Sequence, residues 1–350
     1  MMDKPEAPLA KPQMIVYQEA DCEATVHSVA WVPSSPRLVA AGTTLQNTGY
    51  IQVYSLGRQL SKVQTLQREF GVSAVTFRGS SLQDRRLAVG DSGGRVYSLD
   101  LEEGREVWGL RGHEVVNCID GAGGRGEGPA ELVSGGREGN VKVWDTRLPN
   151  KPVVNMEPET GRRECWAVTA GNCHGEEERM VGAGYDNGDV KVWDLWTLSL
   201  YWETNVGNGV CGLEWDRRDI RLNKLAAVTL EGGLHVWDCS VLSKEGGMAE
   251  TKAKVGACTV WTGRHSPHNR ELFVSGAGAG TLSLHQYEYP EKRNKDGKGV
   301  AGKLALLQAH QISEQPVNCV DWSPDKLGLL AASSFDQRIR VVFVTKLNLL

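Results

Sequence analysis

The clearest pattern in the chain is Ala183-Gly184-Tyr185-Asp186-Asn187-Gly188-Asp189-Val190-Lys191-Val192-Trp193-Asp194. Val190 and Val192 alternate with polar neighbours, the period-two signal of a half-buried strand. Asn187-Gly188 takes up positive φ at little cost, so the segment predicts two strands joined by a two-residue hairpin turn. The chain repeats this arrangement. Asn140-Val141-Lys142-Val143-Trp144-Asp145 and Gly233-Leu234-His235-Val236-Trp237-Asp238 are close copies. Weaker ones are Tyr50-Ile51-Gln52-Val53-Tyr54, Arg95-Val96-Tyr97-Ser98-Leu99-Asp100, Thr281-Leu282-Ser283-Leu284-His285 and Arg338-Ile339-Arg340-Val341-Val342. Aligned on Trp193, they place residues 54, 99, 144, 193, 237, 285 and 342 in one column, 44 to 57 residues apart.

A second repeat, apolar-x-x-apolar-x-aromatic, marks the innermost strand of each unit. It reads Val26-His27-Ser28-Val29-Ala30-Trp31, Val72-Ser73-Ala74-Val75-Thr76-Phe77, Val210-Cys211-Gly212-Leu213-Glu214-Trp215 and Val317-Asn318-Cys319-Val320-Asp321-Trp322. Degenerate copies begin at Val116, Cys165 and Val260. Each sheet must bury both faces against its neighbours, so Trp31, Trp215 and Trp322 read as core. Four strands per unit, a period of about 40–45 residues and a closing Trp-Asp pair make the pattern of a WD40 β-propeller. Seven copies predict an all-β, seven-bladed ring over residues 13–350, after a loose tail at residues 1–12, with no room for a second domain. Gln13 to Gln18 is a strand without a partner in the first unit, and the last unit, ending Ile339 to Val344, lacks a following strand. Pairing of the two would close the ring and hide sheet edges. WD40 units often link a His, a Ser or Thr, a turn Asp and the Trp by hydrogen bonds. His113, Ser134 and Trp144 match, but Glu138 stands in the turn, so a strained or water-replaced network is expected.

Composition narrows the function. With 39 Lys and Arg against 43 Asp and Glu, the chain lacks the basic balance of a nucleic-acid binder. No apolar run approaches 18 residues, and Met1 to Lys11 has no apolar core of a secretory signal, so neither membrane insertion nor secretion is expected. Eight scattered cysteines form no CxxC, which points to reduced, buried thiols and no zinc site. Gly121-Ala122-Gly123-Gly124-Arg125-Gly126 satisfies GxGxxG, but turn residues and a strand follow it where a dinucleotide site needs a helix. His113-Glu114 lacks the second His of a zincin, no Gly-x-Ser-x-Gly elbow or phosphate-cradling loop occurs, and Glu176-Glu177-Glu178 reads as a solvated loop. An enzyme is not expected, nor any cofactor. Residues 290–303, with Lys292, Arg293, Lys295 and Lys298, form a surface insertion that a docking role for an acidic partner would also fit.

A rigid ring with loops on both faces suits protein binding. The turn before each Trp strand and the start of each inner strand should line the channel mouth. The turns offer Arg137, Tyr185, Leu230 and Phe335; the inner strands offer His27, Asn117, Trp166, Trp261 and Asn318. Trp166 and Trp261 stand where other units carry Asn, Ser, Cys or His, so the fold does not demand an aromatic there. Exposed Trp, Tyr and Arg dominate interface energetics, which makes this face the candidate hot spot.

Several stretches lie outside the generic repeat: Asn155-Met156-Glu157-Pro158, Trp202-Glu203-Thr204-Asn205, Asn208-Gly209-Val210-Cys211, Asn269-Arg270-Glu271-Leu272-Phe273, Tyr287-Glu288-Tyr289-Pro290, Ser333-Ser334-Phe335-Asp336-Gln337 and Val344-Thr345-Lys346-Leu347-Asn348. With Ala183 to Asp189, they make the chain resemble the Monad family of WD-repeat axonemal dynein assembly factors over nearly its whole length. The resemblance implies a cytoplasmic adaptor in a co-chaperone assembly, in ciliated or flagellated cells. The implied partners are RuvB-like ATPases, a TPR-containing RNA-polymerase-associated protein and prefoldin-like subunits, with axonemal dynein heavy chains as client. A role in apoptosis is also attached to the family. Alternatives from other classes are a ubiquitin-ligase substrate receptor, which would carry a basic ring on one face, an enzyme built on a propeller, and a methyl-lysine reader, which would need Trp166 and Trp261 in one cage. A closed ring has no need to pair, so a monomer is expected.

Overall fold

A computed structural model describes residues 11–124, 130–148, 150–158, 161–173, 178–217, 221, 223–243 and 247–350. Residues 1–10 of the tail expected at 1–12, Arg125 and Gly126 of the glycine motif, and Glu176 and Glu177 lie outside the described residues. Seven four-stranded antiparallel sheets form the chain, with no α-helix among the described residues. The innermost strands are Thr25–Trp31, Val72–Thr76, Val116–Ala122, Cys165–Gly171, Val210–Trp215, Val260–His265 and Val317–Trp322. Each touches the next around the ring, and the last touches the first. Blades are numbered from one to seven in that order. The first strand, Met14–Asp21, pairs antiparallel with Arg338–Val344 and becomes the outer strand of blade 7. The ring is therefore closed by the two ends of the described chain, as the lone strands at each end require.

The alternation sets the register correctly. Residues 54, 99, 144, 193, 237, 285 and 342 lie opposite Leu38, Leu87, Leu132, Val181, Leu225, Phe273 and Leu330, one equivalent rung in every blade. Trp31, Trp215 and Trp322 are buried, as are the apolar residues that alternate along the middle strands. The Asp after the Trp column has a local role: Asp100, Asp145, Asp194 and Asp238 each accept the N–H two residues on, starting the turn into the outer strand.

Two expectations are corrected. The turn at Asn187-Gly188 is not a two-residue hairpin. Gly188 N–H donates to Tyr185 O, and Gly188 alone has positive φ, 91°. This is the longer turn with a left-handed fourth residue. All seven blades use it, with Asn47, Gly94, Gly139, Gly188, Gly232, Gly280 and Gln337 in the left-handed place. The hydrogen-bond network of blade 3 is also intact. Glu138 is long enough to reach His113 Nδ1 directly; His113 Nε2 lies 2.7 Å from Ser134 Oγ, which accepts Trp144 Nε1–H at 2.8 Å.

The insertion at 290–303 is anchored at its root. Arg293 stacks on Tyr289 at 4.4 Å, lies 3.4 Å from Asp238 and donates to Ser240 Oγ at 2.9 Å. A short hairpin, Asn294–Lys295 with Lys298–Gly299, projects beyond it.

Candidate functional site

Antiparallel pairing fixes which loops share a face. The turns between second and third strands lie beside the starts of the inner strands, on what is here the upper face. The loops after the inner strands and the turns into the outer strands form the lower face.

One local irregularity builds the upper mouth. In every blade the inner strand slips by one residue near its start, between Val26 and Ser28, Val72 and Ala74, Val116 and Cys118, Cys165 and Ala167, Val210 and Gly212, Val260 and Thr262, and Val317 and Cys319. The residue skipped has no partner in the ladder, and a bulge of this kind re-aims a side chain. The skipped residues are His27, Ser73, Asn117, Trp166, Cys211, Trp261 and Asn318, all half-buried. The five inner-strand candidates thus occupy one structural position.

Their uses differ. Asn318 Nδ2 donates to Val26 O at 2.7 Å and Asn117 Nδ2 to Cys165 O at 3.2 Å, each stitching its inner strand to the next. His27 Nε2 lies 3.1 Å from Thr43 Oγ1, and burial lowers its pKa. Trp261 meets Phe335 edge-on at 5.6 Å, joining blades 6 and 7. Trp166 donates from Nε1 to one oxygen of Glu164 at 3.2 Å, while Arg137 Nε donates to the other at 3.2 Å. Gly209 lies flat against the Trp166 ring, where a Cβ would come within 2.5 Å of it. The candidates therefore form two groups, Arg137 with Trp166 and Trp261 with Phe335. No ring contact joins Trp166 to Trp261 among the described residues, so the aromatic cage of a methyl-lysine reader is not formed. Leu230 is exposed by itself. Tyr185 does not line the mouth as expected: it is 4% exposed, packed among Cys165, Val141 and Ala183.

The lower mouth was not anticipated from the sequence. A cavity of about 320 Å³ lies at the other end of the inner strands. Arg78, just past the inner strand of blade 2, reaches across it. Its guanidinium lies 2.9 Å from Glu214 of blade 5, 3.5 Å from Asp120 of blade 3 and 4.0 Å from Asp321 of blade 7. Arg264 adds a second contact to Glu214 at 3.3 Å. The glycine-rich stretch positions this arginine: Gly124 N–H donates to Arg78 O at 3.0 Å, and a Cβ on Gly121 would come within 2.5 Å of Gly79 N.

The carboxylates also hold the blades together. Glu214 accepts His265 N–H at 2.6 Å, Asp120 accepts Ala170 N–H at 3.0 Å and Asp321 accepts Trp31 N–H at 2.9 Å. All three bonds run from the fifth inner-strand residue of one blade to the sixth position of the next. Burial pushes the Glu214 carboxyl up, but Arg78, Arg264 and His265 outweigh it and hold it far below the usual range. Asp321 goes the other way, because burial raises it and the more distant Arg78 only partly compensates. The signal for this network was present in the column Asp120, Glu214, Arg264 and Asp321, polar residues at one inward position.

Among the described residues no group of His, Cys, Asp and Glu is placed to hold a metal ion. Among the described residues no helix is long and apolar enough to cross a membrane.

The profile of the family described as WD domain, G-beta repeat matches residues 104–145 and 302–342. Each segment runs from the outer strand of one blade through three strands of the next. Dynein axonemal assembly factor 10 of Homo sapiens is 47% identical over 97% of this chain and 98% of its own length. The protein of that name from Chlamydomonas reinhardtii is 44% identical over 97% and 98%, and that from Danio rerio 44% over 98% and 99%.

Proposed function

The chain belongs to the dynein axonemal assembly factor 10 family, and from that membership we propose that it is a non-catalytic interaction scaffold in the assembly of axonemal dyneins. The observation that carries this reading is the likeness over 97% of the chain. The adaptor binds RuvB-like ATPases, a TPR-containing RNA-polymerase-associated protein and prefoldin-like subunits, and serves dynein heavy chains in the cytoplasm before they enter the cilium or flagellum. Trp166 and Trp261 of the upper mouth supply the contact, as half-exposed aromatics on a fixed frame lose little entropy on binding. The ligase-receptor alternative has no comparable support, because Arg137, the one arginine among the turn candidates, already bonds Glu164.

Affinity purification of the tagged chain from a ciliating cell tests the proposal. Recovery of RuvB-like ATPases with dynein heavy chains is the expected result. Recovery of cullin-type ligase subunits in their place would overturn it.

A further inference from the structure

Blades 2 and 4 are internal equivalents at their outer edge. In blade 2 the register slips between Ser98 and Leu99, and in blade 4 between Val192 and Trp193. Both turns begin with an Asp that accepts the N–H two residues on, at 2.9 Å for Asp100 and 2.8 Å for Asp194. Both put their fifth residue in the left-handed region, Gly104 at φ 67° and Leu198 at φ 52°. Both outer strands then send a Trp onto the Trp of the next blade, Trp108 to Trp144 at 6.5 Å and Trp202 to Trp237 at 5.4 Å.

The exposed residues of these matched turns differ. Blade 2 carries Glu102-Glu103-Gly104-Arg105-Glu106 and then Val107, 37% exposed, whereas blade 4 carries Trp196-Thr197-Leu198-Ser199-Leu200 and then Tyr201, so the two turns differ at the positions of Trp196, Leu198 and Leu200. Trp196 is 69% exposed, Leu198 65%, Leu200 39% and Tyr201 42%. Blade 2 proves that the turn forms without a single large apolar side chain at its tip. Leu198 is unfavourable twice over, as a Cβ-bearing residue in a left-handed conformation and as a leucine in water. A local rule broken without gain to the fold is expected at a functional position.

We infer that this turn is a docking knob for a partner that presents an apolar groove with a basic rim. The four side chains expose on the order of 400 Å² within six residues, the scale at which an apolar patch marks an interaction site. The rim of the knob is acidic. Glu178 and Glu203 are exposed, and Glu178 adjoins the turn because the neighbouring Arg179 carbonyl accepts Leu195 N–H at 2.9 Å. Of the nearby cations, Arg179 is engaged by Glu131 and Lys191 meets Glu203 at 3.4 Å, so Glu178 carries the net charge of the rim, with Glu203 the more exposed member of its pair. A second copy is a poor occupant. A symmetric contact would set this acidic rim against itself. The inference does not depend on which partners the upper mouth takes.

The test writes the blade 2 turn into blade 4: Trp196→Glu, Thr197→Glu, Leu198→Gly and Leu200→Glu in the full chain. A benzophenone photo-crosslinker at Thr197 of the otherwise unchanged chain is irradiated in extract of a ciliating cell, with Glu103 of blade 2 as the control position. The crosslinked peptide is identified and its parent domain is purified. The expected result is one peptide specific to Thr197, apolar and flanked by Lys or Arg. Its domain should bind the unchanged chain at least about tenfold more tightly than the turn-swapped variant, the loss of one hot-spot cluster. The swapped variant should melt at or above the original temperature, since Leu198→Gly relieves the left-handed leucine. The inference is overturned by crosslinks no different from those at Glu103, by a crosslink to a second copy, by an acidic or wholly polar peptide, or by equal binding of the two forms.

Discussion

The two mouths of the channel are made by the same seven strands, three residues apart, and use their side chains in opposite ways. At the lower mouth the inward column is Ala30, Thr76, Asp120, Thr169, Glu214, Arg264 and Asp321, and its charged members bond across to neighbouring blades. At the upper mouth the column is the bulged one, and only Asn117 and Asn318 stitch strands there. A cavity with four acids and several arginines looks like a site for chemistry. Its carboxylates are instead held by basic side chains and by backbone N–H groups. The half-exposed tryptophans above are the residues the ring does without. Charge in a concavity is thus weak evidence of function when each charge has a structural partner.

The sharpest way to break this contrast is to remove Glu214. Glu214→Ala removes the acceptor of Arg264 and the His265 N–H and leaves Arg78 only Asp120 and Asp321, and truncating one partner of a buried charge cluster costs about 3–5 kcal/mol. Chemical denaturation at pH 7 should show that loss. The pH dependence separates the two carboxylates. The folded pKa of Glu214 is depressed, so its contribution is present above its unfolded value, about 4.3, and fades as pH falls below it. The folded pKa of Asp321 is raised, so its contribution is largest at low pH and is lost as pH rises through the folded value. At pH 7 Asp321→Asn should therefore cost no more than about 1 kcal/mol, since the amide oxygen still accepts Trp31 N–H. Equal losses from the two changes would show that the lower mouth does not distinguish its acids.

A smaller effect is expected from a polar network of the upper face that lies within blade 3 and away from the channel. Ser134→Ala removes the hydroxyl between His113 and Trp144 and leaves two buried ring nitrogens without it. The expected loss is about 1–3 kcal/mol in denaturant melts. Glu138→Gln keeps an acceptor for His113 and should lose less, which ties the effect to the bond and not to bulk.

Much of this was legible in the sequence, because a period-two pattern repeated seven times fixes the strands, their register and the closure. The Trp column proved to be one rung in all blades. What remained hidden depends on contacts across the ring. The bulge that unites His27, Asn117, Trp166, Trp261 and Asn318 leaves no mark on the alternation, since one skipped residue shifts pairing without changing composition. Arg78 joins blade 2 to blade 5, a relation no local spacing reveals. Tyr185 was misplaced because a turn residue was taken to face the channel, when the last strand residue before the longer turn points into the blade interface. The turn at Trp196 went unremarked because its oddity appears only once two blades are superposed.

The smallest stability effect, and the one that sharpens the comparison most, is expected at Trp261. Trp261→Ala removes an edge-on contact with Phe335, worth about 0.5–1.5 kcal/mol. Trp166→Ala vacates the ring that lies on Gly209 and frees Glu164 to keep Arg137, with a similarly small change. If the upper mouth is a binding surface, the double variant should lose most of its recovered partners in pull-down while its unfolding curve barely moves. Asp321→Asn is the control, since it lies at the other end of an inner strand and should retain them. Loss of partners only in proportion to loss of stability, in both variants alike, would mean that Trp166 and Trp261 merely fill space at the channel entrance. The two mouths would then differ in chemistry but not in purpose.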